Sequence, residues 1–169
     1  MGKASVKENK SIYQKSREEL GLTREKAEEL LETISKDKIE KIENGKTTVQ
    51  PDDVLIMAEK YKKPLLCNYY CSNECSIGKQ YVPEIKVKDL SQIVLEMVAS
   101  LNSMNKKKDR LIEIASDGII DNDEIDDFIY IQNELEKISI TVETLQLWSE
   151  RMLASGKIDI NRYNDRKNS

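Results

Sequence analysis

Histidine is absent from the 169-residue chain, glycine and proline are scarce at six and three, and its three cysteines are confined to the stretch CNYYCSNEC. Each shortage excludes something. Without histidine, and with no Gly-rich phosphate loop or nucleophile motif, an active site would have to be assembled from scattered carboxylates and tyrosines, so a non-enzymatic protein is expected. With so few breakers, nearly every long stretch shows helical periodicity, and Ile and Val fall mostly inside those periodic runs; strands have little claim and the fold class is all-α. No run approaches the roughly 20 apolar residues that a membrane span needs, and MGKASVKENK at the start holds no apolar core of signal-peptide length, which predicts a cytoplasmic chain with no membrane partner. Gly2 with Ser5 only partly matches a myristoylation start, which needs Ser or Thr one position later, and is set aside. Neither sign of charge dominates: 27 Lys and Arg stand against 31 Asp and Glu, and 34% of the residues are charged. That mixture suits a folded domain better than a disordered polyelectrolyte.

What is present divides in two. Residues 9–66 carry short helical patterns with clear punctuation at GLT (21–23), NGK (44–46), VQPDD (49–53) and Pro64, the mark of a compact multi-helix domain. From residue 89 the pattern changes: Asp89 to Ala115 and Asn122 to Ala154 contain no proline, and Gly118 lies between them. At 1.5 Å per residue each helix would be roughly 40 to 50 Å long. Leu90, Val94, Met97, Leu101, Met104 and Leu111 keep a 4-3 spacing, interrupted at Lys108, and Phe128, Ile131, Leu135, Ile138, Val142, Leu145 and Met152 do the same. Pairing Leu111 with Phe128, Met104 with Leu135, Leu101 with Ile138, Met97 with Val142 and Val94 with Leu145 keeps the sum of residue numbers constant, as an antiparallel hairpin over 89–155 requires. A second apolar stripe, Ile93, Val98 and Ile112 with Ile125, Ile129, Leu147 and Trp148, is then left uncovered. Another copy of the hairpin is its expected cover, giving a homodimer through 89–155, with docking onto the N-terminal domain of the same chain as the alternative. Residues 67–88 read as a cysteine-containing linker and 156–169 as a flexible polar tail.

Within the first segment, Thr23 is the expected N-cap of a helix whose inward face is Ala27, Leu30 and Leu31. Ser35 should cap the next helix, Ile34, Ile39 and Ile42 should bury it, and Asn44-Gly45 should stop it in the left-handed conformation. The motifs LTREKAEELL, IS, KIENGK and PDDVLIMAEKYKKPL together resemble the helix-turn-helix domain of the phage Cro and repressor (XRE-like) family of transcription regulators. Members of that family usually read RIENGK, then Pro, then an apolar helix, and Val54, Leu55, Ala58 and Leu65 fit this.

The resemblance implies a lambda-repressor-like domain of five helices that binds double-stranded DNA, the second and third forming the motif and the third entering the major groove. It places Arg24 at a phosphate-contacting position, Ser35, Lys36, Asp37, Lys38 and Glu40 at groove-facing positions, and Lys46 near the DNA backbone. Two departures stand out. Where the family generally puts Gly in the turn, this chain has Glu32-Thr33, one residue longer. Residues 10–64 also hold twelve Lys or Arg against twelve Asp or Glu, so there is no large basic field. DNA binding then depends on Arg24, Lys36, Lys38, Lys41 and Lys46 sharing a side while Glu28, Glu29 and Glu43 point elsewhere, on Asp37 or Glu40 accepting from cytosine, and on a dimer doubling the contacts.

Cys67, Cys71 and Cys75 invite a metal, an iron–sulfur cluster or a thiol switch. In one continuous helix Cys67 and Cys75 would sit about 12 Å apart along the axis, too far to share an ion unless the helix breaks near Ser72-Asn73. With no fourth thiolate and no histidine, structural thiols without a cofactor are the preferred reading. EIASDGIIDNDE (113–124) has the glycine spacing of a calcium loop but begins with Glu113 and puts Ala115 third, losing a ligand. A hairpin turn explains it better: Gly118 breaks one helix, Asp121 or Asn122 caps the next, and Asp123, Glu124, Asp126 and Asp127 face Lys106, Lys107, Lys108 and Arg110. The expected function is a dimeric, sequence-specific DNA-binding regulator, a repressor. The alternative is a protein-interaction module that kept the fold without DNA binding.

Overall fold

The structure, a computed structural model, describes residues 9–116 and 118–168. Within them every regular element is a helix, as the periodicity predicts, and no helix is long and apolar enough to cross a membrane. Two compact units form. One holds the chain up to Glu84 and from Glu150 onward; the other is Ile85–Ser149.

The first unit begins with five helices: α1 Ile12–Glu19, α2 Arg24–Leu31, α3 Lys36–Glu43, α4 Pro51–Lys60 and α5 Leu65–Asn73. Their starts are locally encoded. Ser11, Thr23 and Ser35 each accept a hydrogen bond from the backbone N–H three residues on, satisfying donors the first helical turn leaves over. Gln50 and Asp53 form a reciprocal box ahead of α4, with Pro51 at the first helical position. At the end of α3, Gly45 at φ 66° lets its own N–H reach the Ile42 carbonyl (3.0 Å) and the Lys46 N–H reach Lys41 (2.8 Å), the paired closure that a left-handed residue permits. Tyr13, Ala27, Leu31, Ile34, Ile39, Ile42, Val49, Val54, Met57, Ala58, Tyr61 and Leu66 make one buried core, with Ala27 wholly inaccessible.

The expected boundary at residue 66 falls inside α5, which carries Cys67 and Cys71, and a short α6, Gly78–Tyr81, follows in the segment read as a linker. A Cβ on Gly78 would lie 2.1 Å from the Cys71 carbonyl oxygen, so only glycine allows this approach. Residues 156–169, read as an unpatterned tail, contain helix α9, Ile160–Lys167, capped by Asp159. Gly2 and Ser5 lie outside the described residues.

In the second unit, α7 (Leu90–Ile114, 25 residues) and most of α8 (Ile125–Ala154, 30 residues) run antiparallel. Lys107 Nζ meets Asp127 at 2.8 Å, Arg110 Nε meets the same carboxylate at 2.9 Å, and the Ser103 and Tyr130 hydroxyls lie 2.5 Å apart. The hairpin is therefore as expected, but its register is not. The expected pairing sets Lys107 opposite residue 132, roughly one and a half turns from Asp127.

The helices are also rotated. Ile93, assigned to an uncovered stripe, is fully buried, with Ser100, Ile114, Ile131, Glu134, Thr141, Thr144 and Leu147. Leu90, Val94, Leu101, Leu135 and Val142, assigned to the seam, are 40 to 51% exposed. The seam instead follows positions 93, 97, 100, 104, 107, 111 and 114, a mixed heptad. The Thr141 and Thr144 hydroxyls need no partner on the facing helix, because they donate to their own i−4 carbonyls at 2.7 and 2.6 Å.

Candidate nucleic-acid interface

The helix-turn-helix is built from α2 and α3, and the turn between them carries an unusual backbone. Glu32 has φ 59° and ψ −44°, and the Thr33 N–H reaches back to the Leu31 carbonyl at 2.6 Å. This is a γ-turn of the positive-φ hand, which is rare and strained for a residue with a side chain. The turn that lacks the expected glycine thus closes by straining a glutamate.

Behind the turn lies a buried ionic cluster that the sequence did not reveal. Glu43, expected to point away from the DNA side, is buried with 1% of its side chain accessible. It accepts from Arg17 Nε at 2.5 Å and Arg17 Nη2 at 3.0 Å, and from Arg24 Nε at 2.9 Å. Arg17 Nη1 also donates to the Leu22 carbonyl at 2.5 Å. The guanidinium of Arg17 is held above its ordinary pKa chiefly by that bond to Glu43. Nearby, Tyr61 is pushed up to about 12, first by burial and then by Glu43. Arg24, expected to be open to phosphate, has its Nε committed to this cluster and keeps 28% of its side chain accessible.

Most of the remaining candidates are similarly engaged. Ser35 is the N-cap of α3, accepting from the Lys38 N–H at 3.4 Å. Lys36 pairs with Glu25 of α2 at 2.6 Å, and that lysine holds the Glu25 carboxyl down to about 2. Lys38 reaches Asp53 of α4 at 2.8 Å. Glu40 is half-buried, 3.9 Å from Arg24 Nη1. Asp37 and Lys46 are exposed.

With Ile39, Ile42 and Glu43 facing inward, helical periodicity sends Asp37 and Lys41 most directly outward. Lys41 was counted among the cations but not among the groove positions; its spacing of two from Ile39 and one from Ile42 was the available signal. Among the described residues, Lys41 and Lys46 make no ion pair, so they are the open cations beside the outward face of α3.

The cysteines do not converge. Cys67, Cys71 and Cys75 are each half-buried, and among the described residues no group of three or more Cys, Asp or Glu side chains is arranged to hold a metal ion. The helix does end at Asn73, yet Cys75 turns to accept from the Gly78 N–H at 3.4 Å. The Cys67 thiol is pushed up mainly by burial, with Cys71 and Glu150 adding to it, which disfavours the thiolate that metals and oxidants need. The 113–124 loop includes Asp117, outside the described residues. Of its proposed pairing, Arg110 and Lys107 do engage Asp127, with Arg110 also 3.8 Å from Glu124, while Lys106 and Lys108 remain exposed.

Residues 14–64 match the protein family described as helix-turn-helix domain. No curated protein and no solved structure matches the chain. The match covers α2 to α4, all but the first two residues of α1 and most of the core that holds them, so this part of the chain is a helix-turn-helix domain.

Proposed function

We propose that the chain is a cytoplasmic, sequence-specific double-stranded-DNA-binding regulator of the XRE-like type that acts as a homodimer and represses by occupying its site, with no catalytic activity and no cofactor. The observation that carries this reading is the helix-turn-helix match together with the outward face of α3, where Asp37, Lys41 and, just beyond, Lys46 are presented. Asp37 has the chemistry to accept from cytosine N4, and Lys41 and Lys46 to contact phosphate.

The dimer rests on the hairpin. Leu90, Val94, Leu101 and Ile112 fall within about 40° of one another around α7, and Leu135 and Val142 within about 20° on α8, at 100° per residue. Both stripes lie about a quarter turn from their helix's seam in the same rotational sense. In antiparallel helices that puts them on one face. Six half-exposed apolar side chains on a flat two-helix face match a second copy of themselves across a two-fold axis, and their burial contributes on the order of 5 kcal/mol per copy. A two-fold protein fits a two-fold DNA site, doubling the few open cations.

A second reading, a protein-interaction module, is favoured by one observation: Arg17, Arg24, Lys36 and Lys38 are all taken up by acids of the same domain. Oligonucleotide selection followed by mobility shift separates the two. The DNA reading expects a palindromic product, loss of its binding in Lys41→Ala/Lys46→Ala with helicity unchanged, and dissociation to monomers in Leu101→Glu/Leu135→Glu by light scattering. Selection that enriches no sequence would favour the interaction module.

A further inference from the structure

The last helix presents a cationic surface that the helix-turn-helix does not account for. In α9, Asp159 Oδ1 accepts from the Asn161 and Arg162 N–H groups at 2.9 and 3.0 Å, so one of the two acids near the helix caps its positive end. Arg162 and Arg166, one turn apart, line an open cleft of 550 Å³ with Ile158, Tyr163, Lys167 and one acid, Asp159, whose carboxylate is engaged by the helix N-terminus. Lys167 Nζ lies 5.8 Å from the centre of the Tyr163 ring. Among the described residues, neither arginine nor Lys157 just ahead of the helix has an acid within ion-pair distance.

The contrast with the rest of the same compact unit is in charge use. Seven of the twelve cations in residues 10–64 are paired within the domain: Lys10 with Glu18, Arg17 and Arg24 with Glu43, Lys36 with Glu25, Lys38 with Asp53, Lys60 with Glu32 and Lys63 with Glu19. A chain of net charge −4 that binds DNA must therefore draw much of its phosphate affinity from elsewhere. Residues 157–167 belong to the unit that carries the helix-turn-helix, and guanidinium groups are suited to paired contacts with phosphate oxygens.

We propose that the α9 face formed by Arg162, Arg166 and Lys167, with Lys157 ahead of it, is a second and sequence-independent phosphate-contacting element that grips the DNA backbone while α3 reads bases. This rests on the DNA-binding reading above. It differs in what it predicts: α9 sets affinity and its salt dependence, and leaves sequence preference to α3.

The test uses the full chain and a mixed-sequence DNA duplex of about 30 base pairs, measuring the slope of log affinity against log salt. Arg162→Gln/Arg166→Gln/Lys167→Gln, whose side chains keep helix propensity, should lower the slope by about two to three, roughly one for each phosphate that is no longer neutralised. Arg162→Lys/Arg166→Lys, which keeps the charge, should retain it. An unchanged slope in the triple variant overturns the proposal; if Lys41→Ala/Lys46→Ala still abolishes binding, the DNA reading survives alone. Wild-type chain that binds no duplex in a salt-dependent way overturns both. Loss of binding to phosphatidylserine vesicles in the triple variant, with duplex binding unaltered, assigns the face to an anionic membrane surface and likewise overturns it.

Discussion

Removing the Glu43 carboxylate should destabilise the helix-turn-helix domain as much as a large core truncation does. Glu43 accepts three charge-assisted bonds, two from Arg17 and one from Arg24. The side chains of Glu43 and Arg17 are 1 and 7% exposed, so water cannot take over when one partner is removed. Truncating one member of a buried pair costs about 3 to 5 kcal/mol, because the other charge stays behind unneutralised. The Arg24 share is smaller, since part of that side chain is solvated. Stability of roughly 0.05 to 0.15 kcal/mol per residue makes the loss comparable to the whole stability of a domain this size. At about 4 to 8 °C per kcal/mol for a small domain, Glu43→Ala should lower the melting transition by more than about 12 °C.

Far-UV circular dichroism during urea and thermal unfolding follows the loss. Trp148, the single tryptophan, lies on α8 in the hairpin unit and reports that transition separately by fluorescence. Arg17→Met/Glu43→Leu, which removes both charges and keeps their volume, should recover much of the deficit. A cost below about 1 kcal/mol for Glu43→Ala, or single losses at Arg17 and Glu43 that simply add, would refute the account of a coupled buried pair.

Two further predictions concern the turn and the α2–α3 surface. Glu32→Gly should stabilise the domain by about 0.5 to 1 kcal/mol in urea titration: relief of the positive-φ strain outweighs the added entropy of the unfolded chain and the exposed Glu32–Lys60 pair. Destabilisation would show that the γ-turn is not strained. Glu25 titrates near 2 because Lys36 holds it down from 4.5, so its favourable contribution is present above the ordinary carboxylate range and is lost as pH falls from about 4.5 through 2. Lys36→Ala should raise the Glu25 carboxyl midpoint part of the way back in an NMR titration, the backbone and Thr23 hydrogen bonds keeping the rest, and an unmoved midpoint would remove the pair as the main cause.

Much of the domain was legible because its signals are local. Thr23 and Ser35 mark helix starts by bonding within one turn, Gly45 marks a stop by its backbone freedom, and Ile39 and Ile42 mark an inward face by their spacing; Ser11 and the Gln50–Asp53 box are equally local but were found only in the fold. The same reasoning missed α9 despite Asp159 at its start and Arg166 and Lys167 at its end, because an eight-residue polar helix has almost no apolar period to read. It also left the candidate interface half-read. Which acid a given lysine or arginine meets depends on side chains from other helices, so Lys38 with Asp53 and Arg24 with Glu43 were not visible in α2 and α3 themselves.

By itself, then, the order of residues determined an all-helical chain, a helix-turn-helix near its start and an antiparallel hairpin after it, since caps, breakers and 3.6-residue periodicity act within a few positions. Tertiary structure alone decided how each long helix is rotated. Two heptads that share Met97, Met104 and Leu111 compete on α7, and local periodicity weighs Val94 and Leu101 at least as highly as Ile93 and Ser100. The folded hairpin buries Ile93, Ser100 and Ile114 of the mixed heptad and leaves Leu90, Val94 and Leu101 of the more apolar one exposed. Tertiary structure likewise turned Glu43 from a surface acid into the buried anchor of two arginines, because only a folded domain sets Arg17 and Arg24 around the same carboxylate.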